Sequence, residues 1–287
     1  VLSSVVFDRF DEQAAANSKR QTEELYLKSK DYNNRILFSV APHAIYTVSG
    51  KTYQWCVEFA EKNNVFLHTH LSETEEEYNN ALKNYGLTPV QYLNQLNVLS
   101  PHLIAAHCIW LNDEDIAILG EKKVKVVHNP NSNLKLSSGY KFRYEELRDA
   151  NVVVNLGTDG CSSSNNLDMI EAMKTASLLQ KGWRLEPTSM PANEALDIAT
   201  VNGGRILNLP IGKIEEGYLA DIVLIDLNTA AFTPNHNFLS NLVYAANGSC
   251  VDTVICDGKV IMKDKYIEGE EEILFQANRV AKELFKY

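Results

Sequence analysis

The sequence predicts an α/β protein built as a (β/α) barrel, and three observations predict it. Between Arg35 and Gly160, five short and nearly continuous apolar runs alternate with amphipathic helical stretches, as parallel strands covered on both faces do. A histidine or an aspartate follows the C-terminal end of every run. In a (β/α)8 barrel those ends converge on one mouth, whereas an open sheet spreads them apart. No Gly-x-Gly-x-x-Gly or Walker-type loop marks a nucleotide-binding open sheet.

In chain order, the predicted strands are Arg35–Val40, Val65–Leu67, Leu103–Ala106, Val124–Val127 and Val152–Leu156. They lead respectively into Pro42-His43, His70 with Glu73, His107, His128-Asn129-Pro130 and Thr158-Asp159-Gly160. In the second of these, side chains alternate between faces, so His68 and His70 point the same way and Glu73 lies just beyond. Helices are predicted over Lys51–Lys62 with Ser49 as cap, and from Ser72, where Ser72-x-x-Glu75 fits a capping box. Others follow over Glu114–Gly120, Tyr144–Ala150 and Leu167–Leu179. After about Leu209 the character changes. Strand Ile222–Ile225 and the Asp257-Gly258 hairpin signal within Val254–Ile261 predict a small appended β-domain. A closing amphipathic helix is expected over Glu270–Tyr287, with Ile273, Ala277, Val280 and Leu284 on one stripe. The domain division is therefore residues 1–209, 210–269 and 270–287.

Composition narrows the function classes. A formal net charge of −10 over 287 residues disfavours nucleic-acid and anionic-membrane partners, both of which need a basic surface. The apolar runs are too short to span a membrane, and the residues from Val1 onward do not read as a signal peptide. The five cysteines are irregularly spaced and form no Cys-x-x-Cys pair. A disulfide framework or thiolate zinc site is therefore not expected, and a reducing cytoplasm is.

The residues resemble the amidohydrolase superfamily, in particular its 5-methylthioadenosine/S-adenosylhomocysteine deaminase and chlorohydrolase branch. The matching stretches are Ala41–Thr47 (APHAIYT), His68–Thr74 (HTHLSET), Ala105–Cys108 (AAHC), His128–Leu136 (HNPNSNLKL), Gly157–Gly160 (GTDG) and Asn165–Met169 (NNLDM). Gly217–Asp221 and Asn241–Tyr244 match as well, so the likeness runs along essentially the whole chain. It implies a metal-dependent-hydrolase (β/α)8 barrel with a small β-sandwich domain. Members of the family carry an earlier strand ending in His-x-His, whose two histidines are metal ligands. The first histidine here is His43. Val1–Val6 matches the family's third barrel strand, so the first two strands and part of the β-domain are expected to be missing. Ser4 stands where adenosine-type members often carry an arginine that touches substrate.

The resemblance also assigns roles. His70 is expected to ligate a divalent metal, Zn2+ foremost with Fe2+ and Mn2+ as alternatives, which lowers the pKa of a bound water to about 7. Asp159 is expected as a second ligand and as the base that takes the water's proton. Glu73 is expected to pass a proton to the ring nitrogen of a bound purine. His107 is expected to orient the attacking water or to stabilise the oxyanion. His43 is expected to contact substrate together with Glu73 and Asp159, while His68 reads as core or supporting, His128 as pocket-shaping without a chemical role, and Trp55 and Trp110 as core. The expected function is hydrolytic deamination of an aminopurine nucleoside such as 5'-methylthioadenosine or S-adenosylhomocysteine. The alternatives are aminohydrolase or chlorohydrolase chemistry on a triazine-like ring, or an inactive remnant lacking the His-x-His ligands. Besides the small-molecule substrate, the partner the resemblance implies is a second copy in a homodimer.

Overall fold

A computed structural model of the protein describes residues 1–33 and 35–285. Six strands form one parallel sheet in sequential order: β1 (Leu2–Val6), β2 (Phe38–Pro42), β3 (Phe66–Leu71), β4 (Leu103–His107), β5 (Lys125–His128) and β6 (Val153–Leu156). Each of the five expected apolar runs contains a strand, most extend further at the C-terminal end, and the first begins only at Phe38, with Arg35–Leu37 lying ahead of it. β3 continues through His70 to Leu71, with His70 paired to Ala106 of β4. Main-chain pairing is indifferent to side-chain polarity, whereas an apolar run reports only burial. β1 and β6 pair on one side only among the described residues.

Helices cover the sheet: α1 (Glu12–Ser29), α2 (Gly50–Asn63), α3 (Glu75–Tyr85), α4 (Pro89–Gln95), α5 (Asp113–Glu121), α6 (Pro130–Lys135), α7 (Tyr144–Asp149), α8 (Cys161–Ser164), α9 (Met169–Arg184), α10 (Ala192–Ala199) and α11 (Val201–Leu207). α1 has no broad apolar stripe and buries fully only Thr22, which is why periodicity did not announce it. Its cap is Asp11, which accepts from the Ala14 amide at 2.7 Å. Ser49 caps α2 as expected. The expected start of α3 at Ser72 is corrected: Thr74 is the cap, accepting from the Glu77 amide. Ser72 has φ 49°, a left-handed conformation foreign to an N-cap.

The main core lies between sheet and helices, where Leu67, Leu71, Leu103, Val126, Leu147 and Val154 are buried. The Tyr53 hydroxyl of α2 meets Thr69 Oγ1 at 2.8 Å. Thr69 therefore faces the helix layer, and its neighbours His68 and His70 face the opposite, concave side of the sheet. That single contact orients the chemistry.

Beyond α11, β7 (Ile222–Ile225), β8 (Val251–Cys256) and β9 (Lys259–Met262) form a three-stranded antiparallel sheet. Asp257 and Gly258 turn the β8–β9 hairpin with φ of 50° and 73°, the left-handed pair an Asp-Gly turn supplies. Between β7 and β8, α12 (Phe238–Tyr244) packs on α9 and α10. It joins Phe232, Ala246 and Cys250 in a small second core against Ile170 and Leu196. α13 (Glu270–Leu284) buries none of its residues, and the last two residues of the helix expected there, Lys286 and Tyr287, lie outside the described residues. No helix among the described residues is long and apolar enough to cross a membrane.

Candidate active site

The C-terminal ends of β2, β3, β4 and β6 bring the expected residues together. Three imidazoles form a row: the His43 and His70 ring centroids are 4.7 Å apart, and those of His70 and His107 are 5.3 Å apart in a stacked pair. Glu73 Oε2 lies 3.7 Å from His107 Nε2. Ser138 Oγ donates to Glu73 Oε1 at 3.0 Å. Asp159 closes the group from β6, with Ser132 Oγ donating to Oδ2 at 2.7 Å and the Gly160 amide to Oδ1 at 2.6 Å. His68 stands apart, 6.3 Å from His70 ring to ring. His236 is exposed in a loop.

The backbone is bent to achieve this. Ser72, His107, Cys108 and Asp159 all have positive φ, from 49° to 74°. Side chains there cost of order 1–3 kcal/mol each and gather at functional sites. At His107 and Cys108 the chain leaves the β4 ladder, so the His107 ring, which strand parity would send toward the helices, stacks on His70 instead. Gly157 is required by close approach: a Cβ there would collide with the Asn129 side-chain oxygen and lie 2.8 Å from Val127 Cγ1. The Asp159 turn can thus lie directly against the end of β5.

One short element grips three of these groups. α6 begins at Pro130, and from it Ser132 holds Asp159 while Asn133 Oδ1 meets His107 Nδ1 at 2.8 Å. The turn after α6 is closed by the Ser138 amide donating to the Asn133 carbonyl, and it presents Ser138 to Glu73. Trp110, expected as core, donates from Nε1 to the Ser138 carbonyl at 2.7 Å and anchors that turn. Sequence reasoning matched the His128–Leu136 stretch without giving Ser132 or Asn133 a task. The signal was present in the cluster of small polar residues after Pro130.

Burial governs the electrostatics. It pushes the imidazoles down: His43 to about 4 and His68 to about 4, each with His70 adding to the effect, and His128 to about 3. His107 is lowered by burial too, against opposing contributions from Glu73 and the Asn133 hydrogen bond. Burial raises Asp159, but the Ser132 and Gly160 hydrogen bonds, helped by His107 and His70, outweigh it and leave the carboxyl below its usual range. The site thus favours neutral His43 and His107 rings beside an ionised aspartate.

His70 is built as a ligand would be. Its Nδ1 meets the His43 carbonyl at 2.8 Å and its amide donates to the same oxygen at 3.0 Å. A carbonyl can only accept, so Nδ1 carries a proton and Nε2 is the nitrogen turned away from that bond, the arrangement typical of metal-bound histidine. His43 contributes that carbonyl while its own Nδ1 is held by Thr47 Oγ1 at 2.9 Å. The donor set is nevertheless partial: among the described residues no group of three or more His, Cys, Asp or Glu side chains is arranged to hold an ion. The Ser4 hydroxyl meets Thr22 Oγ1 of α1 at 2.8 Å, both groups buried.

Glu77 was not foreseen. Its buried carboxylate accepts from the Glu73 amide at 2.7 Å and the Ser72 amide at 3.2 Å, clamping the turn that carries Glu73. Burial pushes its pKa from 4.5 to about 7, against those amide hydrogen bonds and with the Glu73 charge adding to the rise. The folded protein therefore binds more protons than the unfolded chain between those values, so this group's contribution to stability falls as pH rises from about 4.5 to 7. At about 1.36 kcal/mol per pKa unit the swing is of order 3 kcal/mol. Glu77→Gln does not titrate, so its stability relative to wild type should improve by about that amount from pH 4.5 to 8 in urea denaturation. A difference independent of pH would show that Glu77 ionises in the folded protein at its ordinary value.

Six sequential parallel strands with polar residues gathered at their C-terminal ends define an α/β scaffold of the kind that builds its active site at the strand ends. The chain belongs to the amidohydrolase family, whose model matches residues 1–261. It is 43% identical over 285 residues to a 5'-deoxyadenosine deaminase of Methanospirillum hungatei JF-1, covering 99% of this chain and 64% of that one. It is 42% identical over 286 residues to 5-methylthioadenosine/S-adenosylhomocysteine deaminase 1 of Archaeoglobus fulgidus, covering 99% of this chain and 67% of the relative. The crystal structure of an adenosine deaminase from Xanthomonas campestris with bound zinc superposes with a TM-score of 0.90 at 33% identity, over 97% of this chain and 64% of that one. The chain thus spans about two thirds of the length of the proteins it matches.

Proposed function

We propose that the complete protein is a metal-dependent hydrolytic deaminase of adenosine-type nucleosides modified at the 5' position, releasing ammonia. The observation that carries this reading is the convergence of His70, Glu73, His107 and Asp159 at one end of the sheet, each held by a dedicated hydrogen bond or stacked ring. The deaminase names of relatives above 40% identity favour an adenosine-type ring over a triazine-like one.

His70, through Nε2, and Asp159 would hold the metal, with zinc as first choice. When bound, it makes a water acidic enough to ionise near pH 7. Asp159, kept ionised by Ser132 and Gly160, accepts the proton of that water. Glu73 delivers a proton to a nitrogen of the purine ring, and Ser138 holds its carboxylate in place for this. The His107 ring orients the water, and His43 contacts the substrate. Closure to a (β/α)8 barrel needs two further strands between the open edges of β1 and β6. The extra third of the relatives' length is sufficient to supply them, together with the missing ligands and the rest of a β-sandwich around β7–β9. Five free cysteines suit a reducing, cytoplasmic setting.

The test uses the complete, zinc-loaded protein with 5'-deoxyadenosine, 5'-methylthioadenosine and S-adenosylhomocysteine. Ammonia and an inosine-type product are expected from at least one of them. No turnover of any aminopurine by protein shown to contain metal would sink the reading.

A further inference from the structure

His107 is 1% exposed, and so is Asn133, the residue that meets its Nδ1. An amide oxygen can only accept, so a neutral His107 ring facing Asn133 Oδ1 carries its proton on Nδ1. Nε2 is then bare, and Nε2 is the nitrogen that points to Glu73, 3.7 Å from Oε2. Without the acceptor, the proton could sit on either nitrogen. The Asn133 amide nitrogen is buried with no hydrogen-bond partner, so the residue leaves a donor unsatisfied while its oxygen serves His107. A side chain chosen only for packing would avoid that cost of roughly 1–3 kcal/mol. α6 is also pinned at the site by Ser132, one residue away, through Asp159.

We propose that Asn133 is the positioning residue of His107: its oxygen accepts a hydrogen bond from Nδ1–H and thereby leaves an unprotonated Nε2, on the side of the ring that faces Glu73, to accept from the attacking water. The proposal rests on the deaminase reading for its kinetic consequence, but not for the tautomer itself. Asn133 is itself buried, and its side-chain oxygen is spent on the His107 ring, so it acts through that ring.

The test compares Asn133→Asp, which keeps the acceptor, with Asn133→Leu, which keeps the size but not the acceptor, in the complete metal-loaded protein. If the acceptor matters, kcat of Asn133→Asp stays within about tenfold of wild type, while Asn133→Leu falls about 100-fold or more with KM within about threefold. A purely structural role predicts the reverse order, because burying leucine is easy and burying a charge is costly. Equal losses in both variants, a leucine variant within about threefold of wild type, or a loss confined to KM would overturn the proposal. Should the leucine variant fail to fold, Asn133→Ala takes its place with the same expected loss. Nitrogen-15 spectra of histidine-labelled protein give a readout free of activity: His107 must show a protonated Nδ1 and a bare Nε2, and the opposite pattern refutes the assignment. If no aminopurine is deaminated yet the spectra show this pattern, the functional reading fails and the Asn133 assignment stands.

Discussion

Replacing Asp159 by asparagine in the complete protein is expected to lower kcat/KM by about 10³–10⁴-fold, near the upper end for loss of a proton-accepting group. Metal affinity should fall by at least about 100-fold, since even outer-shell changes cost 10–100-fold. The reasoning is local. Asparagine keeps the size of the side chain and an oxygen to accept from Ser132 or the Gly160 amide, so the left-handed turn at Asp159 should survive with little change in melting temperature. What disappears is the negative charge, and with it, on the proposed reading, both the anionic ligand and the proton acceptor. Elemental analysis, titration of the metal-free protein and steady-state kinetics check the three parts separately. A variant that retains metal as wild type does and turns over normally would remove Asp159 from the chemistry.

Glu73→Gln is the second large effect, an expected fall in kcat of about 10²–10⁴-fold with metal content unchanged. Glutamine fits the same space and can still accept from Ser138 through its side-chain oxygen, yet it has no proton to exchange with a ring nitrogen. The Glu73 side chain is 15% exposed, whereas the side chain of His107 beside it is 2% exposed. On the proposed deaminase reading, proton exchange with substrate falls to Glu73 rather than to His107. If KM rises while kcat holds, Glu73 is a binding group only. If metal is lost as well, it belongs to the ligand set.

Both effects depend on supports that are spread over other parts of the chain. Glu73 is held through its backbone by Glu77 and through its carboxylate by Ser138. These residues are four and sixty-five positions away, the second across the sheet. A stabilising group that far off leaves no spacing to read. Ser72 illustrates the same limit on a smaller scale. By composition Ser72-x-x-Glu75 is a capping box, but the left-handed backbone at Ser72 and the grip of Glu77 shift the helix start to Thr74. The competition between two acceptable caps was settled by the needs of the Glu73 turn.

The sequence by itself determined the alternating α/β architecture, the parallel sheet and the identity of the strand-end residues. Apolar runs and chain direction are local properties, and burial on both faces leaves a continuous signature. It also determined that His68 and His70 share a face, because strand parity is geometry. Only the tertiary structure decided which face that is, through Tyr53 meeting Thr69. The same is true of His107, whose parity pointed to the helix layer until two left-handed residues turned it into the site. The grip of α6 on Asp159 and His107 likewise exists only once β4, β5 and β6 lie side by side. Candidate ligands follow from side-chain chemistry and can be read along the chain. Tautomer, orientation and proton traffic follow from neighbours brought together by folding.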